Sequence, residues 1–197
     1  MKLVTILLAL GLAAWCVVLP ARSLAASLEA GTLELETSVG LDHTSYSSAS
    51  APQGTITRFD GAVGAGYSVT RLLQVGGALL FSHYSSVDLP NEDPFSASSY
   101  GASADVTLNF PTPNNLVPYL RLGLGAETFS GDGAEDAKVA LWAPMVRAGV
   151  RVLVGESGSV NLSLAYRHES NSGGVEKLAA NRLGFAVGLS LFPVRGK

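Results

Sequence analysis

The chain has 197 residues, 47% of them hydrophobic, 15% charged and 22 of them glycine, with a mean hydropathy of +0.30. So apolar a composition excludes a disordered segment, and so much glycine excludes a helical bundle. A net charge of -3 without a basic cluster excludes a nucleic-acid binder, because neutralising phosphates needs clustered Lys and Arg.

Residues 1–26 read as a secretory signal peptide. Lys2 is the charged start, Leu3 to Leu19 the apolar stretch, and Ser23, Ala25 and Ala26 the small residues a signal peptidase takes. Cys16 is the single cysteine, and Trp15 before it does not suit a lipoprotein signal. The expected mature domain, 27–197, therefore has no thiol, no disulfide and no thiolate metal ligand. Loss of Lys2 and Arg22 leaves 11 of the 13 basic residues against 16 acidic ones, a net charge of 11 - 16 = -5.

Beyond the signal no run of 18 apolar residues occurs. Instead, apolar and polar residues alternate with period two in eight stretches, which predicts strands. The first, 32–46, sets Leu33, Leu35, Val39 and Leu41 against Glu34, Glu36, Ser38 and Asp42. The second, 55–69, sets Phe59, Val63, Ala65 and Tyr67 against Arg58, Asp60, Gly64 and Gly66. The third, 72–85, has Leu73, Val75, Leu79 and Phe81 on its apolar face, and the fourth, 98–110, sets Tyr100, Val106 and Leu108 against Asp105 and Asn109.

The fifth, 117–129, opposes Leu120, Leu122 and Leu124 to Arg121 and Glu127. The sixth, 138–153, opposes Val146, Val150 and Val152 to Arg147 and Arg151, and Pro144 interrupts its upper part. In the seventh, 159–170, Leu162, Leu164 and Tyr166 oppose Asn161, Ser163 and Arg167; in the eighth, 181–192, Leu183, Phe185, Val187, Leu189 and Leu191 oppose Gly184, Gly188 and Ser190. Gly64-Ala65-Gly66 and Gly123-Leu124-Gly125 precede no helix and read as glycines that relieve crowding inside.

Eight such strands in an exported chain make either a soluble sandwich or a transmembrane barrel, and the polar faces favour the barrel. They hold too much charge for a packed core and too much glycine for a solvent face. A narrow eight-stranded lumen takes both small residues and paired charges. The inward set is Glu34, Glu36, Asp42, Asp60, Asp105 and Glu127 against Arg58, Arg121, Arg147, Arg151 and Arg167. Short connections (68–71, 111–115, 155–158) alternate with looser ones (47–54, 86–97, 130–137, 171–180), as periplasmic turns and outer loops do. The expected fold is therefore all-β, an eight-stranded antiparallel transmembrane barrel in the bacterial outer membrane. Its expected partners are outer-membrane lipids and the barrel-assembly machinery, with no cofactor and no metal. Asp88, Glu92 and Asp93, like Asp132, Glu135 and Asp136, lack calcium-loop spacing and read as solvated loop carboxylates.

One segment offers chemistry: Tyr166-Arg167-His168-Glu169-Ser170-Asn171, followed by Asn181-Arg182. Residues two apart on a strand share a face, so His168 and Ser170 lie with Leu162, Leu164 and Tyr166 on the lipid side. A hairpin brings Asn181 to that face. The whole pattern resembles the small eight-stranded outer-membrane barrels, and the His-x-Ser-Asn run resembles the lipid A 3-O-deacylases and outer-membrane phospholipase A. That resemblance implies a lipid acyl-ester hydrolase with Ser170 as nucleophile, His168 as base and Asn181 as orienter. A deacylase-like arrangement would use a Glu as orienter, for which Glu176 in the loop is the candidate. The competing reading makes these residues a polar girdle at the membrane interface, because His43 and His83 share the same outward parity. Under that reading the protein is a non-conducting structural or surface-interaction barrel.

Overall fold

A computed structural model describes residues 28–46, 55–86, 96–131, 140–155, 157–171 and 179–194. The expected signal peptide, the loop carboxylates at 88–93 and 132–136, and Glu176 lie outside the described residues. Eight strands follow one another: β1 Leu33–Tyr46, β2 Thr55–Ser68, β3 Leu73–Ser86, β4 Ser96–Asn109, β5 Leu116–Gly131, β6 Ala140–Val154, β7 Gly158–Asn171 and β8 Ala179–Val194. Each pairs antiparallel with the next, and β8 pairs with β1 to close the barrel. Every strand end lies within two residues of the alternation that predicts it.

The register fixes the geometry. Paired positions run from Leu33 through Tyr67, Val75, Val106, Leu122, Val146, Tyr166 and Leu183 to His43. One circuit of the barrel thus climbs ten residues along β1, from 33 to 43. At about 3.3 Å per residue along the strands and about 4.8 Å between them, this stagger tilts the strands by about 40°.

Exposure separates barrel from sandwich. Leu124 is 61% exposed and Val63 56%, whereas Arg58 is 1% and Arg151 0% exposed. A soluble sandwich buries the first pair and solvates the second; here the apolar face turns outward, which is stable only against lipid. The apolar outward run, for example Leu73 to Phe81 on β3 or Leu116 to Ala126 on β5, is about 20 to 25 Å tall at that tilt.

Two local features depart from plain alternation. Strand β6 continues through Pro144, which stays in register with Leu124 of β5, while pairing to β7 passes from Trp142↔Ser170 to Met145↔Arg167. The missing proline N–H therefore falls on the β7 side. On β8, Leu33↔Val194 and Leu35↔Leu191 leave Phe192 and Pro193 opposite Glu34 alone, a bulge. Phe192 keeps the inward parity of Gly188 and Ser190, and at 6% exposure it packs with Leu28, Val117 and Leu153 across the turn-side mouth. Gly31, at φ 85, turns the chain so that Leu28 enters this cluster, and its N–H donates to the Ser68 carbonyl at 2.7 Å.

Candidate functional site

On the outer wall, β7 and β8 set His168 directly opposite Asn181. Asn181 Oδ1 accepts the Tyr166 hydroxyl at 2.8 Å and lies 2.9 Å from His168 Nδ1. A carbonyl oxygen only accepts, so Nδ1 carries the proton in this contact and Nε2 keeps its lone pair. Ser170 occupies the next outward position of β7, opposite Trp142 and Ala179; its side chain lies outside the described residues. Of the three residues singled out from the sequence, the structure brings His168 and Asn181 together. Tyr166 as a second donor to Asn181 was not anticipated, although its parity was.

A second imidazole sits on another wall. His83 of β3 faces Ser98 of β4, with Nδ1 and Oγ 3.3 Å apart. Toward the turns Phe81 meets Tyr100 edge to face at 6.1 Å. His43 takes the corresponding outward register position on β1, opposite Thr57 and Leu183.

The lumen is filled by ion pairs stacked along the axis. Nearest the turns, Glu34 accepts Arg151 at 3.0 Å, Gln74 at 2.5 Å and Ser190 at 2.5 Å, and Asn161 donates to Ser190 at 2.7 Å. Midway, Arg121 pairs with Glu36 at 2.6 Å and Asp105 at 3.5 Å and bonds Thr107 at 3.1 Å. The Tyr119 ring lies under both Arg121 and Arg151, 5.7 and 5.1 Å from its centroid. Toward the loops Glu127 gathers Arg58 at 2.6 Å, Ser99 at 2.9 Å and Arg167, while Arg58 also pairs with Asp60.

Every charge expected inside is inside, but not every one is paired. Arg147 stands directly opposite Arg121 in the register, and its buried Nε has no partner among the described residues. Arg167, which pairs with Glu127, faces Arg182 across β7 and β8. Beside them a cavity of about 30 Å³ is lined by Asp42, Asp60, Arg147, Arg167, Arg182 and Gly184, room for about two waters.

A closed eight-stranded barrel with a charged, packed interior and an apolar exterior is the fold of the small outer-membrane β-barrels. Among solved structures, the chain is similar to Neisserial surface protein A, with a TM-score of 0.64 and 18% identity over 81% of this chain and 96% of that one. It is similar to the outer membrane protein OprG from Pseudomonas aeruginosa, with a TM-score of 0.56 and 15% identity over 85% and 98%. It also resembles the outer membrane enzyme PagL, with a TM-score of 0.53 and 13% identity over 81% and 99%. At such identities the likeness is one of fold. No protein-family model and no curated protein sequence matches the chain.

Proposed function

We propose that the protein is a non-conducting barrel of the bacterial outer membrane with a structural or surface-interaction role. The observation that supports this reading is the filling of the axis: ion-pair layers centred on Glu34, Arg121 and Glu127 stand above the Leu28 and Phe192 cluster at the turn-side mouth. An eight-stranded interior has room only for its own side chains. Reconstituted in planar bilayers, the protein is expected to give no stable current above background. Long-lived, uniform conductance steps would overturn the reading.

A second reading, an outer-membrane lipid acyl-ester hydrolase, is favoured by the 2.9 Å contact of His168 Nδ1 with Asn181 Oδ1. An imidazole held at Nδ1 by a carbonyl oxygen presents Nε2 as a base, the orienter logic of a serine hydrolase. Ser170, two residues on and on the same face, is the nucleophile in this reading. Ser170→Ala and His168→Ala are then each expected to abolish fatty-acid release from outer-leaflet lipid, and Asn181→Ala to reduce it less. Glu176→Ala is silent if Asn181 orients the imidazole and crippling if Glu176 does. Absence of acyl release by purified wild type from both phospholipid and lipid A, with and without calcium, ends this reading.

A further inference from the structure

The outward face of the barrel changes chemistry at one level. All 3 histidines of the chain occupy that level: His43, His83 and His168 each lie three residues before the loop-side ends of β1, β3 and β7. On the turn side of them the outward positions are apolar apart from Thr37 and the Tyr166 hydroxyl; on the loop side they are Ser45, Ser85 and Ser170. This is where the wall passes from hydrocarbon to lipid headgroups.

Two of these imidazoles are tethered to the sheet in the same manner. His83 Nδ1 meets Ser98 Oγ, and His168 Nδ1 meets Asn181 Oδ1. In both, Nε2 is left without a partner among the described residues. The pairs β3/β4 and β7/β8 are half a circuit apart, so the two imidazoles serve opposite walls.

The electrostatic setting is one-sided. At the outward strand positions of the described residues there is no Asp, Glu, Lys or Arg; Asp42 and Asp60 line the lumen on the other side of the sheet, and Glu169, next to His168, occupies an inward position of β7 by parity. The titratable neighbours on this wall are Tyr100 beside His83 and Tyr166 beside His168; the other flanking groups are Thr57, Phe59, Pro144 and Leu183, none of which titrates. At these outward positions, among the described residues, histidine is therefore the one side chain that can carry a positive charge. The anionic groups at this depth of a bilayer are lipid phosphates, and a charged imidazole N–H makes its stronger hydrogen bonds to such oxyanions.

We propose that His83 and His168 form two binding sites for the phosphate groups of lipids in the loop-side leaflet, engaged when the imidazoles are charged. The inference rests on the surface-interaction reading and names its partner.

The test uses the full barrel in phosphatidylcholine vesicles containing spin-labelled, ether-linked phosphatidylglycerol. This lipid keeps one charge from pH 8 to pH 5 and has no acyl ester to cleave. Selectivity for phosphatidylglycerol over phosphatidylcholine at the protein surface is expected to rise about five-fold per occupied site from pH 8 to pH 5. His83→Asn and His168→Asn are each expected to remove part of that rise and the double variant nearly all of it, with heat-modifiable migration unchanged. A wild type with equal selectivity at both pH values, or a double variant with the wild-type rise, overturns the proposal. Inorganic phosphate at matched ionic strength is expected to leave the rise intact; if it abolishes the rise, the sites take free phosphate and the lipid assignment is wrong. Conductance steps in planar bilayers would defeat the non-conducting reading without altering this selectivity, so the two failures are distinguishable.

Discussion

Arginine placed at Leu124 or Val187 is expected to cost about 2 to 4 kcal/mol and to stop assembly in bilayers. Both side chains are outward and near mid-height, at 61% and 38% exposure. Leu124 lies between Ala104 and Pro144, and Val187 between Leu162 and Val39. No charged group stands beside either, and Thr37, diagonal to Val187, is the nearest outward hydroxyl, so a guanidinium there finds no carboxylate to pair with. Arginine at Thr128, outward but close to the loop-side end of β5, costs only about 0 to 1 kcal/mol, because the penalty fades toward the interface. Urea titration of vesicle-embedded variants and heat-modifiable migration measure both effects. Equal tolerance at all three positions would mean that the outward face does not meet lipid.

Inside the barrel, two substitutions are expected to act with opposite sign. Glu127→Ala removes the carboxylate that Arg58, Arg167 and Ser99 share at 5% exposure, and leaving buried guanidinium groups without it costs about 3 to 5 kcal/mol. Arg147→Met keeps most of the volume and removes a cation that faces Arg121 without an ion pair. Like charges directly opposite on neighbouring strands are unfavourable by about 0.2 to 1 kcal/mol, so this variant is expected to be neutral or slightly more stable. Unfolding midpoints in urea decide the matter: a loss for Arg147→Met comparable with that for Glu127→Ala would show that Arg147 has a partner the lumen requires.

The strands were legible because alternation with period two is written directly in side-chain polarity, and the inward Glu and Arg residues followed from it. What alternation does not encode is the stagger between strands. Pairing in the lumen depends on that stagger, which is why Arg121 with Glu36 and the isolation of Arg147 emerge only from the structure. Phe192 shares the inward parity of Ser190, but alternation within one strand does not show that its ring meets Leu28, Val117 and Leu153 from three other segments. At the candidate site, parity placed His168 and Asn181 on one wall, and the tight alignment of β7 with β8 made them neighbours. The contact of His83 with Ser98 had no motif to announce it, since a serine opposite a histidine carries no spacing signature within one strand.

The seam between β1 and β8 has a consequence for the order of folding. Glu34 and Ser190, 156 residues apart in the chain, meet only across it, and Leu28 reaches Phe192 only when the two ends of the barrel have come together. Every hairpin from β1/β2 to β7/β8 forms from strands adjacent in sequence, whereas this seam must first close a loop of nearly the whole domain before any contact rewards it. The Glu34 layer and the apolar plug therefore assemble last and together. They act as a latch: until it engages, the chain is an open, curved sheet with two unpaired edges, and once engaged no edge remains.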